Sequence, residues 1–168
     1  LDLQVAMLSE NDPAIADTLM DLALMVSNQG KSEEAQALFR RAESIIQKSP
    51  FESDRARLAS YFGFEAANRQ DYDAALKNSI VATDYWRKLA SANNASGVLT
   101  GDSAPINNAE RAELAMALDF QAKMALRSGD VVAANALASD ALLTLNQVEG
   151  QPRWWKADVM TTLGEISV

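Results

Sequence analysis

The sequence predicts an all-α protein built as an array of antiparallel helix hairpins, and three observations predict it. Apolar residues recur at helical spacing on either side of short polar turns, as in Leu19, Leu22, Ala23 and Val26, then Asn28-Gln29-Gly30, then Ala35, Leu38, Phe39 and Ala42. Small residues return at equivalent places (Ala23, Ala35 and Ala42 in this hairpin), so the paired helices can approach closely. The 4 prolines, Pro13, Pro50, Pro105 and Pro152, each precede the first helix of a hairpin and none interrupts an apolar-periodic run, where one would cost about 3 kcal/mol.

In chain order, residues 1–9 carry Leu1, Val5 and Leu8 on one face and read as the tail of a helix that begins further upstream. Asp12-Pro13 is a cap followed by a proline at the first helical position. The first hairpin is expected over 13–48. Ser49-Pro50-Phe51-Glu52 reads as a capping box enclosing a proline. It opens a second hairpin over 52–90, with Ala59, Phe62, Gly63 and Ala66, the turn Asn68-Arg69-Gln70-Asp71, then Tyr72, Ala75, Ser79 and Ala82. Gly63 in a helix costs about 1 kcal/mol against Ala, which close helix approach explains.

Residues 91–108, with two glycines, four asparagines and a proline, read as a long inserted loop, a length more often functional than incidental. The third hairpin, 106–147, carries Leu118, Gln121, Ala122 and Ala125, the turn Ser128-Gly129-Asp130, then Val131, Ala134, Ala138 and Ala141. Gly30 and Gly129 occupy the turn position that favours positive φ. In 153–168, Met160, Leu163 and Gly164 repeat the first-helix pattern, so a fourth repeat is expected to continue beyond the sequence.

Aligning Leu22, Phe62, Gln121 and Leu163 gives spacings of 40, 59 and 42 residues, the middle one enlarged by the inserted loop. The turn-and-alanine pattern resembles the tetratricopeptide repeat, with longer helices of the kinesin-light-chain type. Leu19-Met20-Asp21-Leu22-Ala23 and Gln29-Gly30-Lys31-Ser32-Glu33-Glu34-Ala35 carry the likeness most strongly. The pattern is also similar to bacterial tetratricopeptide regions that precede a CHAT protease domain. The resemblance implies a single domain forming a right-handed superhelical array, a TPR-like α-solenoid, with first helices lining a concave groove.

Carrying the groove offsets over gives Asp17, Met20, Asp21, Leu24, Ser27 and Asn28 in the first repeat. The second contributes Arg57, Ser60, Tyr61, Phe64 and Asn68, and the third Met116, Asp119, Phe120, Lys123 and Arg127. These imply a protein-interaction module that holds a peptide or partner domain by aromatic anchors ringed with charge. Two alternatives stand beside it: a regulatory region acting on another domain of the same chain, and a self-associating spacer. Met20, Leu24, Arg57 and Tyr61 depart from the clamp that chaperone-binding members use, which disfavours a chaperone tail as ligand.

Composition limits the other classes. With 0 Cys and 0 His, disulfides, thiolate or histidine metal sites and histidine-based nucleophilic dyads and triads are excluded within these residues. No cofactor motif is present, and no enzyme is expected here. A net charge of -8 opposes nucleic-acid binding. No membrane insertion is expected, since no apolar run approaches the ~20 residues of a span. No signal-peptide pattern is visible, so a cytoplasmic location is expected. Glu33-Glu34 and Asp71-Asp73 read as helix-dipole partners rather than paired catalytic acids. Trp154-Trp155 and Trp86 read as packing residues, with one ring of the adjacent pair buried and the other turned about 100° away.

Overall fold

The computed structural model describes residues 11–95, 108–150 and 153–167, and among them it is all-α with no strand. Seven helices follow in order among these residues: α1 (Pro13–Asn28), α2 (Ser32–Ile46), α3 (Glu52–Asn68), α4 (Tyr72–Ala95), α5 (Asn108–Arg127), α6 (Val131–Leu145) and α7 (Arg153–Ile166). The chain divides into two compact units, Leu1–Asn78 and Ser79–Val168. The expected partial helix at 1–9 lies outside the described residues, as does most of the expected loop at 91–108. The residues at its start differ from the expectation, because α4 runs on through Ala95.

In the first unit α1 packs on α2 as a hairpin, and α3 packs against both. Ile15, Ala16, Leu19, Met20 and Ala23 of α1 meet Phe39, Ala42, Ile45 and Ile46 of α2 and Leu58 of α3 in one apolar cluster. Leu38, Tyr61 and Phe62 close over it. The Phe39 and Phe62 rings lie 5.4 Å apart at an interplanar angle of 46°, a tilted pairing that suits the ring quadrupoles. The alanines expected to permit close approach, Ala23, Ala35 and Ala42, are each 0% exposed.

One α1 position departs from the expected pattern. Leu22 is 37% exposed, whereas Met20 is fully buried. The reason is that α1 is covered by two helices rather than one. Its buried sector therefore widens past a single stripe and takes in Met20 and Ser27, while Leu22 falls at the edge.

The turns repeat one design. Lys31 N–H donates to Val26 O, Asp71 N–H to Ala66 O and Asp130 N–H to Ala125 O. In each case the preceding residue donates three residues back, closing a Schellman motif at the end of the helix. The residue at its left-handed position is Gly30 (φ 79), Gln70 (φ 62) or Gly129 (φ 86). Asp71 and Asp130 then cap the helices after the second and third turns through Ala74 and Ala133 N–H, whereas Lys31 makes no side-chain cap bond after the first; Asp12 caps α1 through Ala14 N–H. Gln70 is the one of the three with a Cβ, and αL backbone costs a non-glycine residue about 1 kcal/mol. Gln70→Gly is therefore expected to raise the unfolding free energy by up to about 1 kcal/mol, read as a higher urea midpoint with an unchanged slope.

The capping box expected at Ser49 does not form. Helix α3 starts at Glu52 after Phe51, which makes no side-chain cap bond. The Ser49 hydroxyl instead donates to Asp54 and accepts from Phe51 N–H at 3.2 Å, while Arg55 donates to Ser49 O at 2.9 Å. Asp54 competes for the hydroxyl that a capping box would use, and Pro50 lies before the helix rather than at its first position.

In the second unit α5 and α6 form a hairpin and α7 packs against both. Its core includes Ala115, Leu118, Ala122, Ala134, Ala138, Ala141, Leu145 and Val159, each 0% exposed. Trp86 is buried, as expected of a packing residue. Asn108 exchanges two hydrogen bonds of 3.2 Å with the backbone of Glu149, which ties the start of α5 to the turn after α6. Helix α7 differs from the expected fourth repeat. Val159 and Thr162 are its buried positions, while Met160 is 55% exposed and Gly164 is exposed. Helices α5 and α6 cover only one side of it, so the register follows Val159 and Thr162. Trp154 stays 63% exposed and Trp155 is half-buried, their rings edge to face at 5.6 Å.

Candidate functional site

Six of the residues expected to line a groove on the first two repeats meet in pairs on one seam of the first unit, where α1 meets α3. The seam is a ladder of matched pairs. Arg57 Nη1 donates to both carboxylate oxygens of Asp17, at 2.9 and 2.8 Å. The Tyr61 hydroxyl donates to Asp21. Asn68 Nδ2 donates to Asn28 Oδ1 at 2.6 Å. Each pair is separated by 40 residues, the spacing that aligns Leu22 with Phe62. The two helices therefore stand side by side in equivalent registers, and equivalent positions touch.

Leu24 and Phe64 flank these pairs and are half-buried, with the Phe64 ring 6.0 Å from Tyr61 in an edge contact. Two other expected groove residues of α1 do not reach the surface: Met20 is 0% and Ser27 6% exposed. The second helix packed on α1 is the cause. Ser60 turns its hydroxyl back onto Ala56 O at 3.2 Å and contributes to helix α3 itself.

The pairs stabilise the seam modestly. Arg57 and Asp17 keep 36% and 44% of their side-chain surfaces exposed, so their ion pair is worth about 0.2–1 kcal/mol. Tyr61 is the most perturbed member. Burial raises its pKa, and the hydrogen bond and charge of Asp21 raise it further.

The third set lies in the second unit. Met116 and Phe120 are half-buried and Arg127 is exposed. Asp119, expected to face outward, is 1% exposed. It is held inside by Lys123, whose ammonium lies 2.7 Å from Asp119 Oδ2 and 2.8 Å from Asp158 Oδ2 on α7. One cation thus joins two carboxylates across α5 and α7. Burial lowers the Lys123 pKa, but the hydrogen bonds and charges of Asp119 and Asp158 together outweigh it and leave it raised. Among the described residues Asp119 Oδ1, Gln121 Oε1 and Trp155 Nε1 are buried without hydrogen-bond partners.

Both shifts give the same alkaline behaviour. A folded-state pKa above the unfolded value means that the unfolded chain loses its proton first as pH rises. The stabilisation is whole below the unfolded pKa and is lost as pH climbs through the folded one. The loss begins near 10.0 for Tyr61 and near 10.5 for Lys123. Urea unfolding at pH ~9 and ~11 should show the decline, and Tyr61→Phe should remove the tyrosine part of it.

Among the described residues no group of three or more acidic side chains is placed to hold a metal ion. No helix among them is long and apolar enough to cross a membrane. The sequence matches no known protein family and no curated protein at a significant level. What the fold defines is the class: an all-helical protein whose neighbouring helices pack in pairs, compatible with a helical repeat.

Proposed function

We propose that this chain is a protein-recognition module of the tetratricopeptide-repeat kind, and that the seam of α1 and α3 is its docking surface for a peptide or a partner domain. The observation that carries the reading is the ladder itself. It presents acid, amide, phenol and guanidinium groups in fixed order, with Leu24 and Phe64 as half-buried apolar neighbours. Side chains held by mutual hydrogen bonds lose little further freedom when a partner docks, which favours binding to a preformed surface. A partner that is another domain of the same chain would use the same surface, and the module would then regulate that domain.

The internal pairing dictates how the reading is tested. Replacing Arg57 or Tyr61 disturbs the helix seam as well as any docking. Leu24→Glu and Phe64→Ala probe the surface while leaving all three pairs intact. A protein captured from lysate by the unaltered chain should be lost by both variants at unchanged helicity. Retention by both would refute the seam as the docking surface.

A self-association reading has an observation of its own. On α6, Val132 is 82% and Leu143 64% exposed, and they lie about three turns apart on one face. A second copy docked on this face would cover both side chains. Light scattering across a concentration series decides the matter: growth in mass supports it, and a constant monomer mass removes it.

A further inference from the structure

The second unit holds a pocket that the docking reading does not use. It has a volume of about 190 Å³ and is lined by Arg87, Ala90 and Ser91 of α4, Arg111 and Leu114 of α5, Thr144 of α6 and Gln147 just beyond it. Three helices and the turn after α6 thus bring two arginines, a serine, a threonine and a glutamine to one small cavity. Ala90 and Leu114, 7% and 8% exposed, supply its buried apolar part. In a chain of net charge -8, two arginines line this one small cavity.

We propose that this pocket binds a phosphoryl oxyanion. The donor count favours that class. Each guanidinium carries five N–H donors in a planar fork, so either arginine keeps donors to spare when a neighbour occupies some of them. Arg87 lies 3.7 Å from Asp84 and 3.6 Å from Asp140, beyond the ~2.7–2.9 Å of a charge-assisted hydrogen bond. These carboxylates hold the guanidinium near the cavity without saturating it. Ser91 spends its hydroxyl proton on the α4 carbonyls of Arg87 and Lys88, so it shapes the wall. Thr144 and Gln147 complete the donors. A carboxylate is satisfied by a single guanidinium fork, whereas three terminal phosphoryl oxygens can use two forks, a hydroxyl and an amide together. The cavity is smaller than the ~300–1,000 Å³ of pockets that enclose whole drug-sized ligands, so it suits a phosphoryl group rather than a large molecule around it.

The test is titration of the whole chain, followed by amide NMR shifts, with inorganic phosphate, with a phosphoserine peptide, and with acetate at matched ionic strength. Saturable shifts centred on residues 87–91, 111–114 and 144–147 are expected with a phosphoryl probe. Acetate is expected to bind at least about tenfold more weakly. Tighter binding of the peptide identifies a phosphorylated side chain as the source, and tighter binding of inorganic phosphate identifies the free ion. Arg87→Gln and Arg111→Gln are each expected to weaken binding about tenfold or more, the loss of a charge-assisted contact. Arg87→Lys and Arg111→Lys keep the charge and lose the fork, so they provide a comparison if a glutamine variant misfolds. They should bind more weakly than the unaltered chain. Unsaturable shifts, equal affinity for acetate, or unchanged affinity in the arginine variants would overturn the proposal. The Leu24 and Phe64 variants leave this pocket untouched, so failure of the docking reading and failure of this one are separable.

Discussion

Phe39→Ala should lower the unfolding free energy by about 4 kcal/mol, the largest loss expected from any single substitution considered. Phe39 is 2% exposed and lies in the cluster where α1, α2 and α3 meet. Truncation removes its transfer free energy and leaves a cavity lined by side chains already in contact with other partners. Those partners, Ile15, Leu19, Ile46 and Leu58 among them, come from three helices, so no single side chain can swing in to fill the gap. Phe62, its tilted ring partner, loses its aromatic contact as well. The measurement is urea unfolding by circular dichroism. A lower midpoint at unchanged slope reports lost stability without a change in what unfolds. Phe39→Leu keeps most of the volume and should cost far less.

Lys123→Met should destabilise by about 3 kcal/mol, for a different reason. The methionine retains the apolar stem but strands Asp119, whose side chain is 2% exposed and whose Oδ1 already lacks a partner. An uncompensated buried charge costs about 3–5 kcal/mol, and the lower end applies because Lys123 is itself 32% exposed. Adding Asp119→Leu removes the stranded charge, so the double variant should recover most of the loss. Asp158 keeps 44% of its side-chain surface, and Asp158→Ala should cost well under 1 kcal/mol. A double-mutant cycle over Lys123 and Asp119 measures the coupling. Near-additive effects would show that water, rather than Lys123, satisfies Asp119.

The two substitutions also show what sequence reasoning can reach. Phe39 follows from periodicity: with Ala35 and Ala42 it marks the buried face of α2, and the structure keeps that face. The turns at Gly30 and Gly129 were equally legible, because a helix end that needs positive φ selects glycine. Gln70 could be assigned to its turn only through its equivalence to Gly30, as its own residue type gives no such signal.

The fate of the candidate site was less legible. Asp17, Asp21, Arg57 and Tyr61 read from sequence as surface residues able to meet a ligand, and their mutual pairing depends on how α3 lies along α1. That geometry is long-range. Met20, Ser27 and Asp119 read as outward under a one-sided helix pattern but sit where a second helix covers the first. In α7 the reverse holds: Met160 is left exposed because helices cover only one of its sides. Arg87 and Arg111 carry no periodic or motif signal, and only the meeting of three helices brings them to one cavity.

Helices α1 and α3 stand in equivalent registers 40 residues apart, with equivalent positions in contact, and everything said of the seam depends on it. The chain contains 0 Cys, so introduced thiols face no competition. Asn28→Cys/Asn68→Cys replaces the pair that ends the ladder, and the product of a short thiol-bridging reagent is read by mass spectrometry of the intact chain. The account predicts rapid intramolecular bridging at unchanged helicity, and little in Asn28→Cys/Lys48→Cys, which joins residues outside the ladder. Absence of bridging in the first variant, or equal bridging in both, would contradict it.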